Sequence, residues 1–172
     1  MKQFDLLGIG NSVVDVLYEV DETFIKNNKL EKDVMTIIDE EKAEKFYSQL
    51  KQGIEVAGGS VANSTVGLAS LSGRPAFIGK IKDDNLGKSF SKSLADNKVF
   101  YKTKPILEGP GTARCFIFVT PDAQRTMNTY IGACSLLSPK DIDEELVKNS
   151  KITYLEGYCW KEQLAKESLI KA

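Results

Sequence analysis

Ala57-Gly58-Gly59-Ser60-Val61-Ala62-Asn63 is the stretch on which the reading of this chain turns. Two adjacent glycines let a backbone come close to a ligand, because no Cβ intervenes. Their N–H groups fall just before an expected helix start, where oxygens are favoured. The residues that follow, Val61 to Leu71, are rich in small side chains (Ala62, Ser64, Thr65, Gly67, Ala69, Ser70), which lets a helix lie close on a sheet. Ser60 is the expected N-cap and Gly73 the expected C′ residue. Asn63 lies in the first turn, and its carboxamide can donate to one hydroxyl oxygen and accept from another, which suits polyol recognition. By itself the stretch also reads as a tight turn followed by a capped helix.

Working outward, the same alternation of element types recurs. Phe4 to Gly10 is a short apolar run ended by glycines and suits a buried strand. Val13 to Val20 continues extended, Asp21 to Asn28 forms a short helix, and Val34 to Ile38 another strand. Asp39 caps a helix whose Ala43, Phe46, Tyr47 and Leu50 fall at helical spacing. Pro75 to Gly79 is a strand, and Asp83 or Asp84 caps a helix running to about Asn97. The order points to an α/β fold. From Val99 the character changes. Ala113, Cys115, Ile117 and Val119 alternate with Arg114, Phe116, Phe118 and Thr120, Pro121-Asp122 turns the chain, and Arg125 to Tyr130 returns. This predicts a hairpin in a small antiparallel sheet with one face covered, which the early strands join. Ser138-Pro139 opens a helix with Asp141 at N3, Ile152 to Leu155 is a strand, and Lys161 to Ala172 a last helix. A βα unit in a parallel sheet needs the next strand to complete its crossover, so the sequence reads as the first half of something longer.

Composition narrows the function. The 172 residues carry 23 basic and 24 acidic side chains, a net charge of −1, so no strong field points to nucleic acid or membrane. There is no histidine, which removes Ser-His-Asp and Cys-His nucleophiles and His-ligated metal sites. Cys115, Cys134 and Cys159 make no CxxC pair and are odd in number, so a reducing cytoplasm is the expected compartment. The amino terminus lacks a signal-peptide pattern, and no run reaches the length of a membrane span.

Two glycine motifs fail on spacing. Gly8-Ile9-Gly10 is followed at position 13 by Val where a dinucleotide fingerprint needs Gly, and Leu86-Gly87-Lys88-Ser89 has Lys at position 82 where a P-loop needs Gly. Asp15 interrupts an apolar strand, four residues after Asn11. It reads either as an outward residue on a half-exposed strand or as a carboxylate accepting from sugar hydroxyls.

Taken together, Gly10-Asn11-x-x-x-Asp15, Ala57-Gly-Gly-Ser-x-x-Asn63-Ser and Ile78-Gly-Lys-Ile-x-Asp-Asp-x-Leu-Gly87 resemble the amino-terminal signature of the ribokinase-like (PfkB) carbohydrate kinases. Gly109-Pro-Gly-Thr-Ala-Arg114 and Thr120-Pro-Asp-Ala-Gln-Arg-Thr126 are similar to the family's lid hairpin, and the flavour is closest to the adenosine-kinase-like branch, also through Ile152-Thr-Tyr-Leu-Glu-Gly-Tyr158. The resemblance implies a three-layer Rossmann-like α/β sandwich with a small antiparallel β lid and an incomplete carboxy-terminal half. Residues 1–172 would be the amino-terminal part of that domain, with a lid formed discontinuously by about 12–20, 33–38 and 99–130. Asp15, the backbone at Gly58 and Gly59, Ser60 and Asn63 would hold the substrate, Asn11 would bind it or fix that corner, and Arg125 would approach the transferred phosphate. Val13 and Ile37 would wall a base, with Tyr158 and Glu156 on the pocket floor.

The family's catalytic aspartate belongs to an Asp-Thr-x-Gly-Ala-Gly-Asp block that does not occur in the 172 residues. The implied cofactors, ATP and Mg2+, would bind mainly outside this chain, which is expected to be inactive alone. Three readings therefore stand: a fragment of a sugar or nucleoside kinase, a non-catalytic module binding a sugar or nucleoside, or an assembly component. In the last, the lid or the unfinished sheet edge would make a homo-oligomer.

Overall fold

The computed structural model describes residues 2–50 and 53–172, and the elements form two sheets that share one chain passing back and forth between them. In the first sheet β1 (Phe4–Ile9) lies between β5 (Pro75–Ile78) and β9 (Ser150–Leu155), with β6 (Phe100–Tyr101) beyond β5, and every pairing is parallel. The second sheet has five strands in the order β3 (Met35–Ile37), β8 (Arg125–Tyr130), β7 (Ala113–Val119), β2 (Val13–Glu19) and β4 (Ile54–Gly58).

The centre of the parallel sheet, β1 and β5, is buried on both faces because these strands carry apolar residues at consecutive positions, whereas β9 is largely exposed. Leu7, Ile9, Ala76 and Ile78 point to one side, against Leu146 of α5 (Glu144–Lys148) and Ala165 and Leu169 of α6 (Gln163–Lys171). Phe77 points to the other, against Val61 and Ala62 of α3 (Ser60–Ser70) and Phe90 and Leu94 of α4 (Asn85–Asp96). These are the three layers. The small residues of α3 have the expected consequence: a Cβ placed on Gly8 of β1 would fall 2.6 Å from Val61 and 2.8 Å from Thr65.

The five-stranded sheet is covered on one face only. Val14, Val16, Phe116 and Phe118 pack there with Ile25 of α1 (Glu22–Asn27) and Ala43 and Phe46 of α2 (Glu40–Gln49). Phe46 meets Phe116 at 5.5 Å and Phe118 at 5.2 Å between ring centroids, and Phe24 meets Phe118 at 5.0 Å. Arg114 lies buried at this backing, paired with Glu44 and set over the rings of Tyr47 and Tyr130. Lys32 ties the tip of the β7–β8 hairpin to α1 by pairing with both Asp122 and Glu22.

Several expectations change in detail. The second sheet is mixed rather than wholly antiparallel: β7–β8 and β2–β4 run antiparallel, but β2–β7 and β3–β8 run parallel. β2 and β7 both enter from the first sheet at Val13 and Ala113, which are register partners, so they must travel in the same direction. The stretch 99–130 starts too early for this sheet, because Phe100 and Tyr101 pair with Ala76 and Phe77 in the parallel one. Strand β4 was not foreseen, although Ile54 and Val56 alternate with Glu55 and Ala57. Ser60 is the first helical residue and Gly59 the N-cap, at φ +100° without a side-chain cap bond. The turn out of β4 needs that left-handed backbone, which glycine adopts without steric cost. At the other end Ser72 takes the left-handed position, and Gly73 sits one residue later, donating its N–H to the Leu68 carbonyl. Ser138 and Asp141 do form the capping box, but around a single 3-10 turn (Pro139–Asp141), and Asp143 caps the helix proper.

Among the described residues no helix is long and apolar enough to cross a membrane. The close approach at Gly8 gives a test of the layer packing. Gly8→Ala is expected to cost about 1–3 kcal/mol, read as a lowered urea midpoint with an unchanged slope.

Candidate functional site

Three places where the chain crosses between the sheets meet at the carboxyl ends of β1 and β5. Asp15 stands mid-strand in β2, opposite Val56 of β4 and Cys115 of β7. Because Val14 and Val16 face the buried core, Asp15 faces the open side of the sheet. Its carboxylate lies over Gly58: a Cβ there would fall 2.3 Å from Asp15 Oδ2. Gly59 approaches the other crossing just as closely, since a Cβ there would fall 2.5 Å from the Asn11 carbonyl oxygen. The twin glycines are thus required by contact, the first with a carboxylate and the second with a backbone.

The register places Ile37, Thr129, Cys115, Asp15 and Val56 in one row across the open face. Ile37 and Val56 are 54% and 49% exposed, so the carboxylate sits in an apolar surface that meets solvent. Burial raises the Asp15 carboxyl above its ordinary range. The Cys115 thiol, held by a hydrogen bond from Thr129 Oγ1, is pushed up to about 11 by its own burial. Cys134 and Cys159 are also buried and free, and burial raises both thiols.

Asn11 is turned inward. Its backbone N–H donates to Glu156 Oε2 at 2.8 Å, its Nδ2 donates to Glu156 Oε1 at 3.2 Å, and the Cys159 thiol donates to its Oδ1 at 3.5 Å. Both ends of the Asn11 amide are thus engaged within the chain, by Glu156 and Cys159. Ser60 and Asn63 lie in the first turn of α3, both exposed, and the Asn63 N–H donates to the Gly59 carbonyl at 2.8 Å. Arg125 does not join this group. It is exposed and pairs with Val119, which pairs with Glu19, four residues along the strands from the Asp15 row. At about 3.3 Å per residue that is about 13 Å away.

Two anchoring residues carry little signal in the sequence. Glu156, 5% exposed, follows β9 directly; an acidic residue closing an apolar strand was the available signal. Asp84 caps α4 through Gly87 N–H and also accepts from the Thr112 N–H at 2.9 Å, so it pins the chain where β7 begins. No motif pointed to that second bond. Among the described residues no group of three or more Cys, Asp or Glu side chains is placed to hold a metal ion together.

A parallel sheet with helices on both faces, carrying a second sheet whose open face presents a carboxylate beside a glycine-opened helix, defines a ribokinase-like α/β fold. The sequence model of the pfkB family carbohydrate kinases matches residues 31–172, and the chain belongs to that family. An adenosine kinase from Sinorhizobium meliloti superposes with a TM-score of 0.89 at 42% identity, over 97% of this chain and 51% of that one. A probable sugar kinase protein from Rhizobium etli CFN 42 gives 0.91 at 41% identity, over 99% and 52%. A probable fructokinase-6, chloroplastic, from Arabidopsis thaliana is 36% identical over 97 residues, 55% of this chain and 25% of that protein. The chain spans about half the length of the two solved relatives.

The raised Asp15 carboxyl has a measurable sign. The folded chain holds that proton more tightly than the unfolded chain, so ionisation of Asp15 opposes folding, and the stability it contributes in acid is lost as pH rises through its folded pKa. Asp15→Asn should therefore raise Tm at pH 7, and the difference from wild type should disappear below the ordinary carboxyl value of 3.8 in a pH series of thermal melts.

Proposed function

We propose that this chain is the substrate-binding half of a kinase that transfers the ATP γ-phosphate to a hydroxyl of a ribose-like substrate, a nucleoside such as adenosine or a sugar. The observation that carries the reading is the Asp15 carboxylate, set over Gly58 on the open face between apolar Val13, Leu17 and Val56. A half-buried carboxylate accepts hydrogen bonds from a diol with less competition from water than a fully exposed one. The roles follow from position. Asp15 accepts from ribose hydroxyls, the Gly58–Gly59 backbone and Ser60 line the approach, and Asn63 donates to one hydroxyl and accepts from another. Asn11 keeps the corner in place. Val13, Ile37 and Val56 offer an apolar wall, which favours a nucleoside base over a bare sugar.

In this reading residues 1–172 are one part of a ribokinase-like domain, and the five-stranded sheet, including 54–58, is its lid. Arg125 reaches the phosphate only when the outer end of that sheet swings toward the parallel sheet. Closure would exclude water and align the hydroxyl. ATP is the phosphate source, and the groups that hold it and Mg2+ belong to the family's remaining half. The family's Gly-Ala-Gly-Asp block is not in the sequence, so no turnover is expected from these residues alone. Three free buried thiols suit a reducing cytoplasm.

Calorimetry with adenosine, ribose and fructose tests the reading. The 172-residue chain should bind adenosine more tightly than either sugar, Asp15→Ala should abolish binding, and a coupled assay should detect no ATP-dependent phosphorylation. Absence of binding, or turnover by the chain alone, would refute it.

A second reading, an assembly component, is favoured by one feature. Among the described residues β9 pairs on one side only, and Ile152, Tyr154 and Leu155 on it are exposed, with Tyr158 and Trp160 just beyond. Sedimentation should then show concentration-dependent association that Tyr154→Lys weakens. A monomer at all concentrations excludes it.

A further inference from the structure

We infer that Glu156 is the positioning residue of this cleft: its carboxylate holds the Asn11–Ser12 turn, and through that turn fixes Asp15 against the twin-glycine backbone. The inference rests on the substrate-binding reading above and assigns the part of it that sets the geometry.

β1 ends at Ile9 and β2 begins at Val13, so the chain has only Gly10, Asn11 and Ser12 in which to leave one sheet and enter the other. Four contacts around Glu156 shape that turn, beside the Gly10 N–H bond to the Ile78 carbonyl and the Ser12 N–H bond to the Cys134 sulfur. The Glu156 N–H donates to the Ile9 carbonyl at 2.9 Å, which extends the β1–β9 ladder by one residue and anchors the base of the side chain. Both carboxylate oxygens accept from Asn11, one from its backbone and one from its amide. Gly10 leaves room for the carboxylate, since a Cβ there would fall 2.2 Å from Glu156 Oε2. Cys159, whose N–H donates to the Glu156 carbonyl, closes the far side of the Asn11 amide with its thiol.

Asn11 then transmits the position in two directions. Its carbonyl is the surface on which Gly59 packs, and its chain continues through fully buried Ser12 into the strand that carries Asp15. The two halves of the cleft are therefore spaced from one residue, and Glu156 makes two of the three side-chain hydrogen bonds that hold it. Among the described residues no lysine or arginine pairs with Glu156. A buried carboxylate without a cation is costly unless its hydrogen bonds are well made. Both donors here come from Asn11, so the local geometry of the turn is what that carboxylate enforces.

The test combines residue-resolved amide exchange by NMR with adenosine titration of the whole 172-residue chain. Glu156→Ala should speed exchange of the Asn11 amide roughly ten- to a hundred-fold, the loss expected for a hydrogen bond to a charged group, while the β1 amides keep their protection. Adenosine affinity should fall about ten-fold by the same arithmetic at its lower limit. Glu156→Gln keeps one acceptor. It should restore part of the protection and of the affinity, with the Asn11 amide proton moving upfield as the charge is lost. Gly10→Ala leaves Glu156 in place but displaces its carboxylate, and should reproduce the Glu156→Ala result. Unchanged Asn11 exchange in Glu156→Ala and Gly10→Ala would overturn the inference. So would loss of protection spread evenly through β1 and α3, or adenosine affinity that stays unchanged while Asn11 exchange accelerates. If wild type itself fails to bind adenosine or ribose but Asn11 exchange responds as described, the substrate reading falls and the hold of Glu156 on the turn stands.

Discussion

The structure depends on how closely separate backbones approach one another where the chain crosses between its two sheets. Each crossing is only a few residues long, and at each a side chain would collide with its neighbour. Gly59 meets the Asn11 carbonyl, Gly58 the Asp15 carboxylate, and Gly132 the Gly111 carbonyl, where a Cβ would lie 2.1 Å away. Contacts this tight leave no room for water, so the polar groups in them must satisfy one another. Glu156 does so for Asn11, Asp84 for Thr112, and the Cys134 sulfur accepts the Ser12 N–H. The carboxylate on the open face is then positioned from beneath by contacts that involve no ligand.

That arrangement sets stability against recognition. Val13 and Leu17 flank Asp15 on the same face, and a larger apolar residue would extend their surface at lower cost than a carboxylate that burial pushes toward its neutral form. Under the proposed function, a carboxylate retained at such a place would wait for hydroxyl donors. The buried Arg114, by contrast, is neutralised on the opposite face by Glu44 and enclosed by aromatic rings, and its work is packing. Two charged residues in neighbouring strands thus have opposite settings, and the pleat of the sheet separates them.

Much of this was legible in local patterns. Asp39 and Asp84 announced their helices, and the alternation from Ala113 to Val119 announced the hairpin, because those signals depend on residues close in sequence. Gly58, Gly59 and Asp15 were legible as a group through the family signature. What was not legible depended on partners far apart. The inward turn of Asn11 is decided by Glu156, 145 positions away. The parallel pairing of β2 with β7 is decided by where both leave the first sheet. The distance of Arg125 from Asp15 follows from strand register, which a linear pattern does not carry. Strand β4 was missed for another reason: its apolar positions, Ile54 and Val56, face the open side, so they look like part of a loop until the sheet is known.

The aromatic cluster that joins α1 and α2 to the back of the five-stranded sheet has a mechanical consequence. Phe24, Phe46, Phe116 and Phe118 interlock, and Lys32 fastens the hairpin tip to α1, so the sheet and its helices form one stiff plate. Bending within such a plate would break many contacts at once, and tilting it means sliding it over the apolar core it shares with Val61, Phe77, Phe90 and Leu94. Under the proposed function, entry of a small molecule and its sealing from bulk solvent would be the two ends of that one sliding motion.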